Sequence, residues 1–147
     1  MIGKLFRQKV IVAVCASTGL YACFGGSGEQ PGEVEAFDEI AADETINALG
    51  NEPFWSATIE NDTLTYSTPE NIDGQTVAIT RFAGNGGLGV SGRISNEDLN
   101  IAITPGECSD TMSDRSYPFT VTLIIGEEQL NGCAYTDSQP FSGEERI

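Results

Sequence analysis

From Phe54 to Tyr135 the apolar residues return at every second position, and that period decides what this chain can become. In FWSATIE, Trp55, Ala57 and Ile59 alternate with Ser56, Thr58 and Glu60. TLTYST places Leu64 and Tyr66 on one face, and QTVAITRF offers Val77 and Ile79, with Arg81 and Phe82 at its end. GLGVSGRI carries Leu88, Val90 and Ile94, DLNIAIT carries Leu99, Ile101 and Ile103, and FTVTLII carries Phe119, Val121, Leu123 and Ile125. EQLNGCAY closes the series with Leu130 and Ala134. Turn residues separate these runs, and no helical period intervenes, so the expected class is all-β and antiparallel. The alternate positions are mostly Thr, Ser and Asn, which predicts one packed face and one wet face. Closure removes exposed strand edges. We therefore expect a small antiparallel β-barrel of about seven to eight strands, rather than a strongly twisted sandwich. Upstream, FDEIAADETINAL is read as holding a short helical turn, and Gly50 and Pro53 bracket the start of the folded part.

The N-terminus predicts an address. MIGKLFRQK carries Lys4, Arg7 and Lys9 and no acid, and VIVAVCASTGLYA follows as a short apolar run. That is the pattern of a secretory signal over residues 1–22. The run is short for a membrane span, which needs about 20 apolar residues. Leu20-Tyr21-Ala22-Cys23 resembles the lipobox of bacterial lipoproteins, which implies lipidation of Cys23. The alternative is an ordinary signal cut near Ala22 and a soluble periplasmic or secreted chain. GGSGEQPGEVE then reads as a flexible tether, so residues 23–45 are expected to be an acidic linker, 46–137 the β-domain and 138–147 a fraying tail. Phe24, where such proteins carry aspartate for inner-membrane retention, implies the outer membrane, facing the periplasm.

Charge excludes some partners. The leader takes three of the 7 basic residues and none of the 22 acidic ones, so four arginines remain against 22 acids, a formal charge of −18. Nucleic acid, which needs cationic contacts, is not an expected partner. A cationic protein or cell-wall partner would be steered in, although an acidic surface also serves solubility alone.

Cysteine and histidine usage narrows the chemistry. Cys15 lies in the leader and Cys23 at the anchor, which leaves Cys108 and Cys133 as one pair in an oxidising compartment. A disulfide is the expected outcome. The chain has no histidine. A catalytic cysteine or serine would lack its usual base, and a zinc site would lack ligands. No enzyme activity, no cofactor and no metal are expected. If Leu130 points inward, Cys133 faces outward unless Gly132 makes a bulge, so the loop around Cys108 would lie over the outside or rim of the last strand. Asp110 and Asp114 are expected to cap turns there, with Arg115 pairing one of them or Glu52. A calcium site from Glu107, Asp110 and Asp114 has suitable oxygen ligands but lacks the order of a dedicated loop.

Two segments together carry a resemblance. LGNEPFWSATI is similar to a GxEPFW motif, and CSDTMSDRSYPFTVTL with LNGCAY is similar to a C-x-D-x-M-S…YP…V-x-L…GC pattern. Both occur in this order in a family of small bacterial envelope lipoproteins of unknown function, found beside META/HslJ-like and membrane-bound lysozyme-inhibitor-like β-domains. The resemblance spans about Leu49 to Tyr135. The family's usual CSDGMSD has glycine where this chain has Thr111. The implied function is a non-catalytic envelope lipoprotein whose periplasmic β-domain binds a partner or supports the envelope. The candidate partner-binding loop is Glu107, Asp110, Met112, Asp114 and Arg115. The alternative is inhibition of lysozyme or another cationic cell-wall hydrolase. The serine-and-lysine insertion of the membrane-bound inhibitors cannot carry over, because the mature chain has no lysine.

Overall fold

A computed structural model describes residues 35–144, and the expected signal over 1–22, Cys23 and most of the expected linker lie outside them. Eight strands follow one another: β1 (Ile46–Asn51), β2 (Phe54–Glu60), β3 (Thr63–Thr68), β4 (Asn71–Ala83), β5 (Leu88–Ile94), β6 (Glu97–Ser109), β7 (Ser116–Ile125) and β8 (Glu128–Thr136). Each pairs antiparallel with the next, and β8 pairs with β1, so the sheet closes into a barrel.

Local chemistry sets the turns. Asn61-Asp62 joins β2 to β3, and Ser95-Asn96 joins β5 to β6 with φ of 50° and 70°. Two left-handed residues match the twist of a tight hairpin. Gly126, at φ 58°, opens the β7–β8 turn. The period-two residues do face inward: Trp55, Ala57, Ile59, Leu64, Ile79, Leu88, Val90, Ile94, Leu99, Ile101, Ile103, Phe119, Val121, Leu123, Leu130 and Ala134 form one buried core. Each buried Ile, Leu or Val contributes about 1.5–3 kcal/mol relative to exposure. The outer face is wet, as expected, and hydroxyls pair across it. Thr65 and Thr76 lie 2.8 Å apart at Oγ1, and Thr104 and Thr120 lie 2.7 Å apart.

Three expectations need correction. FDEIAADETINAL holds no helix: a turn closed by Glu44 N–H donating to the Ala41 carbonyl (3.2 Å) leads into β1. Ile46, Ala48 and Gly50 face inward there, and the free edge of β8 draws this segment into the sheet against its helical look. The folded part also begins earlier than residue 46. Ile40 is buried, Phe37 packs on the core, and the Phe37 N–H donates to the Gly84 carbonyl (2.9 Å), so this segment plugs one end of the barrel. Arg81 holds the plug, donating from Nη1 to the Glu44 carbonyl (3.1 Å) and from Nη2 to the Ala41 carbonyl (3.0 Å). Finally, the segment from Ser138 to Ser142 is bonded back onto the barrel rather than leaving it. Ser138 donates to Glu44, Gln139 Nε2 donates to the Glu39 carbonyl (2.9 Å), and Ser142 and Ser116 exchange two backbone bonds of 2.9 Å.

Candidate functional site

The β6–β7 hairpin runs past the barrel and folds back over its outside. Its register shifts between Pro105 and Cys108, where proline lacks an N–H and a bulge bends the strand. Beyond the bulge the arm pairs again, Cys108 with Tyr117 and Ser109 with Ser116. The bend carries Cys108 across β7 to Cys133 on β8, and the two form a disulfide with Cα atoms 5.6 Å apart. Leu130 and Ala134 point into the core, so Cys133 faces outward, yet it is only 2% exposed because the arm lies over it. A segment with little to bury is held by a covalent bond instead.

Asp110 organises the tip of the arm. Its Oδ1 accepts from the backbone N–H of Met112 (3.0 Å) and Ser113 (2.8 Å). Its Oδ2 accepts from the hydroxyls of Ser113 (2.7 Å) and Tyr117 (3.1 Å). Burial pushes its pKa up, but the hydrogen bonds from Ser113, Met112 and Tyr117 outweigh burial and hold it below the usual carboxylate range. Burial raises the Tyr117 phenol, and its bond to the Asp110 carboxylate adds to that. The expected capping role of Asp110 is present in full. Thr111, in the glycine's place, sits at φ 61°.

A small aromatic cluster outside the barrel supports the arm. Tyr117, Tyr135 and Phe141 have ring centroids 5.1–6.1 Å apart. The Arg115 guanidinium lies over Phe141, 4.6 Å from the ring centre. Such a contact is worth about 0.5–1 kcal/mol at a surface. The structure thus brings Asp110 and Arg115 into the support of the arm. Met112 is 59% exposed at its tip, and the Glu107 carboxylate accepts from the Ser116 hydroxyl (3.3 Å). The Asp114 carbonyl packs against Gly143. Among the described residues no group of three or more His, Cys, Asp or Glu side chains, Glu107, Asp110 and Asp114 included, is placed to hold a metal ion.

Between the arm and the outer face of β7, β8 and β1 runs a groove of about 420 Å³. Asn51, Glu52, Thr122 and Asn131 line it, together with the backbone of Gly50 and Gly132. Sequence reasoning missed both the groove and the aromatic cluster. Tyr135 and Phe141 were its legible signal, being large rings at outward or supposedly frayed positions.

The described arginines are all engaged within the chain. Arg93 meets Asp98 (Nε–Oδ1 3.4 Å) and donates to the Asn96 carbonyl (2.7 Å), Arg81 holds the plug, and Arg115 covers Phe141. The described residues thus carry many more carboxylates than arginines. Compared with protein-family models, with curated proteins and with solved structures, the chain matches none.

Proposed function

We propose that this chain is a non-catalytic envelope lipoprotein, anchored through Cys23 at the outer membrane and facing the periplasm, whose β-domain binds a protein partner through the β6–β7 arm. The family resemblance belongs to the same proposal. The observation that carries it is the arm itself. A disulfide, a four-bond carboxylate hub and an aromatic cluster fix a polar loop that presents an exposed methionine. A loop fixed before contact loses less freedom on docking, which favours binding. Methionine adapts its shape to an apolar partner surface.

The test places a photo-crosslinking residue at position 112 of the full-length lipoprotein in intact cells, with the exposed position 72 on β4 as control. A discrete adduct at position 112, absent at position 72 and lost when the disulfide is removed, is the expected result. No adduct above the control at position 112 would count against the arm. Intact mass of the same protein, with and without reductant, reports the acylated terminus and the bridge.

A second reading, inhibition of a cationic wall hydrolase, is favoured by one observation. The described arginines are each engaged with groups of this chain, and the excess of acidic residues would steer a basic enzyme. Cell-wall lysis by lysozyme, followed by turbidity with excess chain at low salt, decides it. Unchanged lysis ends that reading.

A further inference from the structure

Of the described residues ahead of β1, 35–45, only Ile40 is buried and none lies in a strand. The ladders that close the barrel use none of them. A short set of bonds to one end of the wall holds this plug instead. The Phe37 N–H donates to the Gly84 carbonyl, and Arg81 donates to the carbonyls of Ala41 and Glu44. Ser138 and Gln139 donate to the Glu44 carboxylate and the Glu39 carbonyl. A groove of about 460 Å³ runs along the plug, lined by Phe37, Ile40, Ala41, Arg81, Phe82 and Leu88, so one flank lacks packed neighbours.

This balance favours opening at low cost. Ordering the backbone of such a segment is expensive in entropy, and one buried isoleucine with a few surface bonds is set against it. Segments with few buried apolar contacts and exposed hydrogen bonds open locally, below the free energy of global unfolding. Arg81 acts on both sides of the balance. Its guanidinium is attracted by Glu44, Asp62 and Asp43 and grips two carbonyls, yet its Nε is buried with no hydrogen-bond partner among the described residues. A buried N–H left unpaired disfavours the closed form. The other end of the segment is fixed, because Ile46 is fully buried and pairs with both Ile59 and Thr136. The hinge therefore lies between Glu44 and Ile46.

We propose that residues 35–45 form a strap that swings off the end of the barrel while the eight strands stay closed, with Arg81 as its clamp. Opening lifts Ile40 and Phe37 from the core and uncovers the wall beside Leu88 and the exposed ring of Phe82. A covered end thereby becomes an apolar one. The device belongs to the fold and does not depend on the anchor or the protein partner proposed above.

The test follows backbone amide exchange in the ¹⁵N-labelled full-length chain as urea rises below the unfolding midpoint. The reporters are the amides of Phe37, Glu44 and Ser138, whose partners are the Gly84 carbonyl, the Ala41 carbonyl and the Glu44 carboxylate. Their protection should agree within a few-fold, because one opening releases all three. It should be at least tenfold weaker than that of the slowest amides of β6 and β7, and nearly independent of urea, since the opening exposes little surface. Arg81→Met removes two charge-assisted bonds and should speed exchange at Phe37 and Ser138 about tenfold or more, with the urea dependence still flat and the sheet signature in circular dichroism kept. Protection and urea slope equal to those of β6 and β7 would mean that the plug leaves only with the barrel, and would overturn the proposal. So would protection at Phe37 and Ser138 that differs by more than tenfold, the mark of two independent fraying ends, or unchanged rates in the folded Arg81→Met chain.

Discussion

The Glu44 carboxylate accepts hydrogen bonds from the Ser138 backbone N–H, at 3.0 Å, and from the Ser138 hydroxyl, so the segment before β1 and the segment after β8 are joined at one end of the barrel. Burial works against the charge on Glu44. Hydrogen bonds from Ser138, Thr136 and Ala41 outweigh it and lower the pKa from 4.5 to about 2. A carboxylate depressed in the folded state stabilises fully above its unfolded pKa and ceases to do so as pH falls through the folded one.

The first prediction is therefore a loss of stability on acidification between about pH 4.5 and about pH 2, part of it from Glu44. Glu44 is partly exposed, so solvent screening keeps its share modest. Glu44→Gln should melt lower than the parent at neutral pH and lose less across the acid window. Thermal melts at several pH values read both quantities. Parallel acid profiles for the two chains would remove Glu44 from the account.

Thr111 offers a gain. A β-branched residue at φ 61° occupies a region that costs an L-residue roughly 1–2 kcal/mol. Its side chain is exposed, and its N–H donates to the Ser109 hydroxyl (3.2 Å), a bond glycine keeps. Thr111→Gly should stabilise the chain by about 0.5–1 kcal/mol once the greater freedom of unfolded glycine is subtracted. Denaturant unfolding measures it. A destabilised glycine variant would mean that the threonine side chain supports the loop.

The barrel was legible where large apolar residues alternate, because burial on one face of a strand imposes period two on Trp55–Ile59, Leu99–Ile103 and Phe119–Leu123. β1 was not legible, since its inward residues shrink from Ile46 through Ala48 to Gly50 and its run-up is acidic. That shrinkage is the mark of the Trp55 ring, whose bulk must be matched by small residues on β1 and β8. The disulfide followed from counting cysteines, and the Asp110 turn from side-chain chemistry. The groove and the Tyr117–Tyr135–Phe141 cluster depend on where the bulge at Pro105 sends the arm, and no local pattern encodes that direction.

Two glycines in the wall should respond differently to a methyl group. At Gly132 an added Cβ would lie 2.1 Å from the Leu49 backbone oxygen, which cannot give way without breaking the seam. At Gly89 it would lie 2.0 Å from Cζ of Phe82, an outward ring that is 59% exposed and free to swing. Gly132→Ala should cost about 2–3 kcal/mol and Gly89→Ala about 1 kcal/mol or less. Equal costs in chemical denaturation would show that the seam is softer than its packing implies.

The disulfide separates two kinds of stability. It closes a loop spanning 25 residues in sequence, so the chain-entropy estimate gives about 3–4 kcal/mol. The barrel itself is closed by the β1–β8 ladder and the β7–β8 ladder, neither of which includes Cys108. The doubly substituted chain, Cys108→Ser with Cys133→Ser, should keep its sheet signature in circular dichroism and unfold about 3 kcal/mol more easily. The arm should change most. Its hub at Asp110 and its clasp at Ser116–Ser142 remain, but Cys133 no longer tethers it across β7. Backbone amides from Asp110 to Arg115 should exchange hydrogen faster, while those of β2 and β3 slow or quicken only with global stability. If the arm amides kept their protection after the sulfurs were gone, the aromatic cluster and the Asp110 hub would be sufficient to hold the loop, and the covalent bond would act by restricting the unfolded ensemble rather than by holding the shape of the arm.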